Sequence, residues 1–314
     1  MSAPLRRNIL VTGATGKQGR ALIQSLTTHH PTHPFTLYAL TRKPTSRASL
    51  ELAALPNVRL VTGDFSNPAA IFAQVPEPWG MFLMTMPLQG AALEERQGKA
   101  LVKAGLEAGV KHVVFTATDR GKDVENDPTP IAHFASKFRI EKDLIAGVAT
   151  ANQQKKMNEE ATYTILRPVA FYENLSPDFL GRAFVGMWTL SRPQSKIKFI
   201  STADVGRVGA LAFLHSKEQG YKNAGISLAG EEIDLEEAGK VFKEVTGKEM
   251  TATYGIVARG LKWMLKEQVG TMFDWIRDVG FGIEVQTVRE RFPFVMGFRQ
   301  WLLEESAWKT DEKR

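Results

Sequence analysis

Six short apolar runs, at 7–12, 35–41, 58–62, 80–85, 112–117 and 162–167, are rich in Val, Ile, Leu, Phe and Thr and predict strands. Between them, 17–27, 46–54, 68–74, 91–109 and 131–145 carry apolar residues at helical spacing and predict helices. This alternation predicts an α/β fold, a doubly wound parallel sheet with helices on both faces, in which ligands bind beyond the carboxyl ends of the strands. After about residue 169 the pattern loosens. A helix is expected near 175–187 and a polar loop at 191–196, and the runs 197–200 and 224–228 can return to the sheet around a helix that Asp204 N-caps. The polar segment 147–160, GVATANQQKKMNEE, delays the sixth strand and reads as a surface insertion or an extra helical turn.

The first strand leads into NILVTGATGKQG (8–19), with Gly13, Gly16 and Gly19 at three-residue spacing. Gly13 lets the chain turn sharply off the strand, Gly16 lets backbone approach a phosphate, and Gly19 lets the next helix pack closely. Thr15, Lys17 and Gln18 fall in the same cradle, and the helix behind it aims unpaired N–H groups at an anion. The spacing is a variant of GxGxxG; a bare strand-turn-helix connection is the competing explanation. The second strand ends Leu40, Thr41, Arg42, Lys43, with no carboxylate to repel a 2′-phosphate and two cations to bind one, so the expected cofactor is NADP(H). A solvated basic loop before Pro44 is the alternative. After the third strand, Asp64 can accept from an adenine amino group or form a turn, and Phe65 can pack beside the base.

With 43% hydrophobic and 24% charged residues, the 314-residue chain has the composition of an ordinary globular protein. It is long enough for a Rossmann domain over 1–168, to which 197–230 returns, and a helix-rich C-terminal lobe over 169–314. Aromatic residues such as Trp263, Phe273, Trp275, Phe292, Trp301 and Trp308 crowd that lobe, as core or as lining of a substrate cleft. The absence of cysteine excludes disulfides, thiolate catalysis and cysteine-bound zinc. A net charge of +6 is scattered rather than blocked and no nucleic-acid motif is visible, so anionic small molecules are favoured over direct DNA binding. No apolar run spans a bilayer and MSAPLRRNILV reaches its strand too soon for a signal peptide, which predicts a cytosolic or nuclear location without membrane contact. His29, His30 and His33 crowd one loop without a carboxylate nearby, and no metal site is expected.

GATGKQG (13–19), Arg42 with Lys43, GD at 63–64, ERQGKALVKAGLEAGVKHVVF (95–115), HFASK (133–137), ILRPVAFYENL (165–175) and RERFP (289–293) together resemble the NmrA-like group of atypical short-chain dehydrogenase/reductases. The resemblance implies a Rossmann fold that binds NADP(H), with two kinds of member: NADPH-dependent reductases, and redox sensors or transcriptional co-regulators that bind without turnover. Typical short-chain dehydrogenases place Tyr and Lys four residues apart on one helical face; here His133 and Lys137 hold that spacing. Lys137 is then expected to orient the nicotinamide ribose and to stabilise a developing oxyanion. His133 serves as a general acid or simply packs beside the cofactor. Thr118 follows the fifth strand, where related enzymes hydrogen-bond the substrate carbonyl, and can equally cap its loop. Pro168, Phe171 and Asn174 match the stretch that lines the nicotinamide side, where a backbone N–H beyond Pro168 can bind the carboxamide; Phe171 can instead be a core aromatic.

Two functions compete on this reading. The first is an oxidoreductase passing hydride from NADPH to a carbonyl or conjugated alkene of a small, aromatic or polyketide-like substrate held between the sheet edge and the C-terminal lobe. The second is a non-catalytic sensor whose NADPH or NADP occupancy shifts its affinity for a regulatory protein partner.

Overall fold

A computed structural model describes residues 6–30, 35–154, 159–191, 194–252 and 271–308. By the packing of its backbone the chain divides into two compact units, the first formed by 1–117, 136–167 and 205–226, the second by the remainder.

The first unit is a parallel sheet of β1 (Arg7–Val11), β2 (Phe35–Thr41), β3 (Val58–Thr62), β4 (Pro78–Met84), β5 (His112–Thr116) and β6 (Thr162–Pro168) in the order β3-β2-β1-β4-β5-β6. A seventh strand, β9 (Ala224–Leu228), lies beside β6, as the sequence allows. All seven residues of β2 and all five of β5 are buried, which is why these strands read as continuous apolar runs rather than alternating ones. The chain moves outward from β1 to β3 and then returns to the other side of β1 as β4, so the strand order reverses between β1 and β4. At that junction Thr12 is a clamp: its hydroxyl donates to the Phe82 carbonyl (3.0 Å) and accepts from the Met84 N–H (2.8 Å).

The crossover helices are α1 (Lys17–Gln24), which passes into a π-helical turn, then α2 (Arg47–Ala53), α3 (Pro68–Phe72), α4 (Ala91–Glu107) and α5 (Ala132–Gln153). Helices α4 and α5 cross closely. A Cβ on Gly98 would stand 2.5 Å from Ile140 Cδ1, so any side chain there would have to displace Ile140. Of the two readings of 147–160, the added helical turn holds up to residue 153, where α5 continues; residues 155–158 lie outside the described residues. Asn152 ends the helix usefully, donating to the Ala161 carbonyl (2.9 Å) and accepting from its N–H (2.8 Å) just ahead of β6.

At the amino end of the sheet His112 is sealed. Its ring lies between Trp79 and Phe213, with Nδ1 2.8 Å from the Thr162 hydroxyl. Burial holds this imidazole down at about 3, opposed by a hydrogen bond with the Ala212 backbone. It is therefore neutral at any ordinary pH.

The second unit centres on a three-stranded sheet, β10 (Glu231–Ile233), β8 (Ile197–Ile200) and β7 (Ala170–Phe171). The expectation that 197–200 rejoins the large sheet is thus wrong: it pairs antiparallel with β10 and parallel with β7. Tyr172 stacks on Phe199, Phe298 and Trp301 at 5.5–5.6 Å, so these rings form a core. Around it lie α6 (Phe179–Leu190), α8 (Leu235–Thr246) and the short helices Thr271–Asp278, Val285–Arg291 and Phe298–Glu304; Trp263 falls outside the described residues. Helix α7 (Thr202–Leu214) starts before Asp204, correcting the expected cap. The Glu173 carboxylate accepts from the Thr202 N–H (3.1 Å) and hydroxyl (2.6 Å), while Asp204 accepts from the Met296 N–H. Among the described residues no helix is long and apolar enough to cross a membrane.

Candidate cofactor site

A cavity of about 300 Å³ opens in the first unit at the carboxyl ends of β1 to β4. Gly13, Thr15 and Gly16 wall it after β1, Arg42 after β2, Asp64 and Phe65 after β3, and Met84, Met86 and Leu88 after β4. This is the reversal point of the strand order, the position at which open α/β sheets bind ligands.

The loop earns its glycines by geometry. Gly13 has φ +59°, and a Cβ there would meet the Met84 methyl at 2.1 Å; a Cβ on Gly19 would stand 2.5 Å from the Gly13 carbonyl. The Gly16 N–H donates to that same carbonyl (2.9 Å), tightening the turn. Gly16 then stands as the N-cap of α1 without any side-chain cap, so the first N–H groups of the helix have no capping side chain. Lys17 is exposed in the first helical turn. Gln18, beside it, buries an Oε1 with no hydrogen-bond partner among the described residues.

At the end of β2 a hydroxyl knot fixes the turn that carries Arg42 and Lys43. Thr41 Oγ1 lies 3.0 Å from Ser49 Oγ and accepts from the Lys43 N–H; Ser49 Oγ donates to the Lys43 carbonyl at 2.9 Å. Both cationic side chains remain exposed. Asp64 faces the cavity, and its Oδ1 accepts from the Ser66 N–H at 2.7 Å, the turn-forming role. Hydrogen bonds from Ser66, hydroxyl first and then backbone, bring this carboxyl below its ordinary value.

Lys137 has partners the sequence reading did not foresee. Its ammonium donates to Glu94 Oε1 (2.9 Å), the Thr85 carbonyl (3.1 Å) and the Thr85 hydroxyl (3.2 Å). Glu94 also accepts from Thr85 Oγ1 (2.8 Å) and Ser136 Oγ (2.5 Å). Burial alone would push the Glu94 carboxyl up, but the Lys137 charge and the bonds from Ser136, Lys137 and Thr85 bring it below its ordinary value. A signal for Glu94 existed: it shares a register with Gly98, Leu101, Val102 and Gly105, the buried face of α4.

The remaining expected residues belong to the second unit. Thr118 Oγ1 lies 3.3 Å from the Pro168 carbonyl, and the Asp119 N–H donates to the same oxygen, so this hydroxyl secures its loop. The Val169 N–H, the first beyond Pro168, is taken by the Leu228 carbonyl. Phe171 is half-buried in β7. His133 lies on α5 as expected, half-buried and edge-on to Phe134 at 4.8 Å. Among the described residues no cluster of His, Asp and Glu could hold a metal; His33 lies outside them.

A model of the NmrA-like family matches residues 6–291. The NmrA-like family domain-containing oxidoreductase FrzB of Cladobotryum sp is 28% identical over 184 residues, 57% of this chain. That match covers 51% of FrzB, about half its length. Among solved structures, the NADPH-dependent quinone oxidoreductase QOR2 from Escherichia coli, complexed with NADPH, superposes with a TM-score of 0.71 at 20% identity, covering 94% of this chain and 98% of that one. NmrA, a negative transcriptional regulator in complex with NADP, gives a TM-score of 0.67 at 16% identity, covering 96% of this chain and 95% of that one. At these identities the two structures establish the fold.

Proposed function

The chain belongs to the NmrA-like family, and on that premise we propose that it binds NADP(H) in the β1–β4 cavity and acts as a reductase of a carbonyl or conjugated alkene on a small, aromatic or polyketide-like compound. One observation carries the reading: a single cavity at the strand-order reversal joins an uncapped, glycine-built helix entrance to the exposed guanidinium of Arg42. The residues fit the cofactor. The 13–19 loop would hold the diphosphate, Arg42 and Lys43 the 2′-phosphate, and Phe65 with Asp64 the adenine.

When bound, NADPH supplies the hydride. Lys137 would donate a hydrogen bond to the nicotinamide ribose, and Met86 and Leu88, exposed at the cavity rim, offer an apolar surface suited to such a substrate. His133, at the spacing where typical short-chain dehydrogenases carry tyrosine, would supply a proton to the reduced product.

A second reading, a sensor that binds NADP(H) without turnover and signals to a protein partner, draws support from the engaged state of Thr118 and Lys137, whose hydroxyl and ammonium are already hydrogen-bonded. NADPH absorbance followed against a panel of quinones, ketones and enones separates the two. The reductase reading expects oxidation with at least one compound. NADPH binding by calorimetry with no oxidation across the panel would falsify it, and pull-down partners that change with added NADPH would establish the sensor.

A further inference from the structure

We propose that Glu94 is a positioning residue that holds Lys137 in place for a ribose hydroxyl, an inference that rests on the NADP(H) reading above. Glu94 borders the cavity, but its side chain is 0% exposed and turned to its own donors, whereas the Lys137 side chain retains 13% exposure. The carboxylate takes three donors, from Lys137, Thr85 and Ser136. The ammonium has three protons, and all three have acceptors here.

The bonds of that ammonium are unequal. The 2.9 Å contact to Glu94 is charge-assisted and ends on a carboxylate without exposure, while the 3.2 Å contact to the Thr85 hydroxyl is the longest of the three. A ligand hydroxyl can therefore take the proton facing Thr85 Oγ1, which keeps its own 2.8 Å bond to Glu94, without releasing the lysine from its anchor. The flexible stem of Lys137 is ordered when the protein folds rather than when ligand arrives, and that preorganisation strengthens binding.

The pairing also decides what Lys137 can recognise. Glu94 cancels its charge at close range, so the pair suits a neutral hydroxyl and leaves phosphate recognition to the 13–19 loop and Arg42. Serine and threonine hydroxyls around the carboxylate complete its hydrogen bonding, which keeps the buried pair ionised.

The test compares wild-type protein with Glu94→Gln, Lys137→Met and the double variant, titrated with NADPH and with 2′,5′-ADP, which lacks the nicotinamide ribose. Glu94→Gln should bind NADPH about tenfold more weakly and lose the fluorescence enhancement of the bound nicotinamide, with 2′,5′-ADP affinity held within about twofold. The double variant should bind NADPH as Lys137→Met does, because Glu94 acts through the lysine. It buries neither charge alone, so this comparison stands even if Glu94→Gln folds poorly. Equal weakening of both ligands in Glu94→Gln, unchanged NADPH affinity, or additive penalties in the double variant would each overturn the inference. Wild-type protein that binds 2′,5′-ADP but not NADPH also overturns it; binding of neither overturns the cofactor reading beneath it.

Discussion

The two ends of the large sheet each bury a titratable side chain, and they do so by opposite means. At the carboxyl end Glu94 stays ionised because Lys137, Ser136 and Thr85 surround it with donors. At the amino end His112 stays neutral because aromatic rings exclude water and only hydroxyl and backbone partners remain. Burial opposes charge at both ends. What differs is whether the fold supplies a counter-charge, and it does so beside the cavity, where a ligand needs fixed polar groups, and not at the closed end.

The sharpest challenge to this contrast is a second buried pair in the same unit. Arg167 Nη2 donates to Glu141 Oε2 at 2.9 Å, with side chains 3% and 2% exposed. Glu141→Gln leaves a guanidinium buried without its counter-charge and should cost about 3–5 kcal/mol in urea unfolding. A loss below about 1 kcal/mol would mean that burial here does not depend on the counter-charge, and the contrast collapses.

The closed end makes the next largest claim. His112 has a folded value near 3 against an ordinary 6.5, so below 6.5 the unfolded chain takes up a proton that the folded chain refuses. The stability of neutral His112 is complete above about pH 6.5 and drains as pH falls toward 3. At pH 5 this amounts to about 2 kcal/mol. Melting of wild type and His112→Gln at pH 7 and pH 5 reads it directly: the gap between the two proteins should narrow on acidification. An unchanged gap would show that water reaches the ring.

The smallest effect belongs to the open end. Arg42→Ala should weaken NADP+ binding about tenfold, leave NAD+ binding nearly unaltered, and hardly move the melting temperature, since the side chain is exposed. An equal loss for both nucleotides would detach Arg42 from the 2′-phosphate.

Strands such as β2 and β5 were legible because their apolar runs are buried on both faces, and the crossover helices because one face of each carries apolar residues at helical spacing. The glycine loop was legible because backbone turns restrict residue type, and the end of β2 places Arg42 at the cavity. The continuation of α5 was legible only as one of two alternatives, because ATANQ (149–153) is short of large apolar residues and Asn152 acts on a strand still to come. The desertion of 197–200 to a second sheet was not legible, since a four-residue apolar run carries no information about its partner. Glu94 was masked by its neighbours: EERQG reads as a solvated helical face, only the register with Gly98 and Leu101 marks it, and its partner Lys137 lies 43 residues onward.

The missing methyl on Gly98 has a mechanical consequence. Glu94 stands one turn before Gly98 on α4, and Lys137 about one turn before Ile140 on α5, so the close approach of Gly98 to Ile140 lies one turn beyond the meeting of an acid and a base. A single carbon added there would have to displace the Ile140 side chain one turn from the pair, without touching either partner.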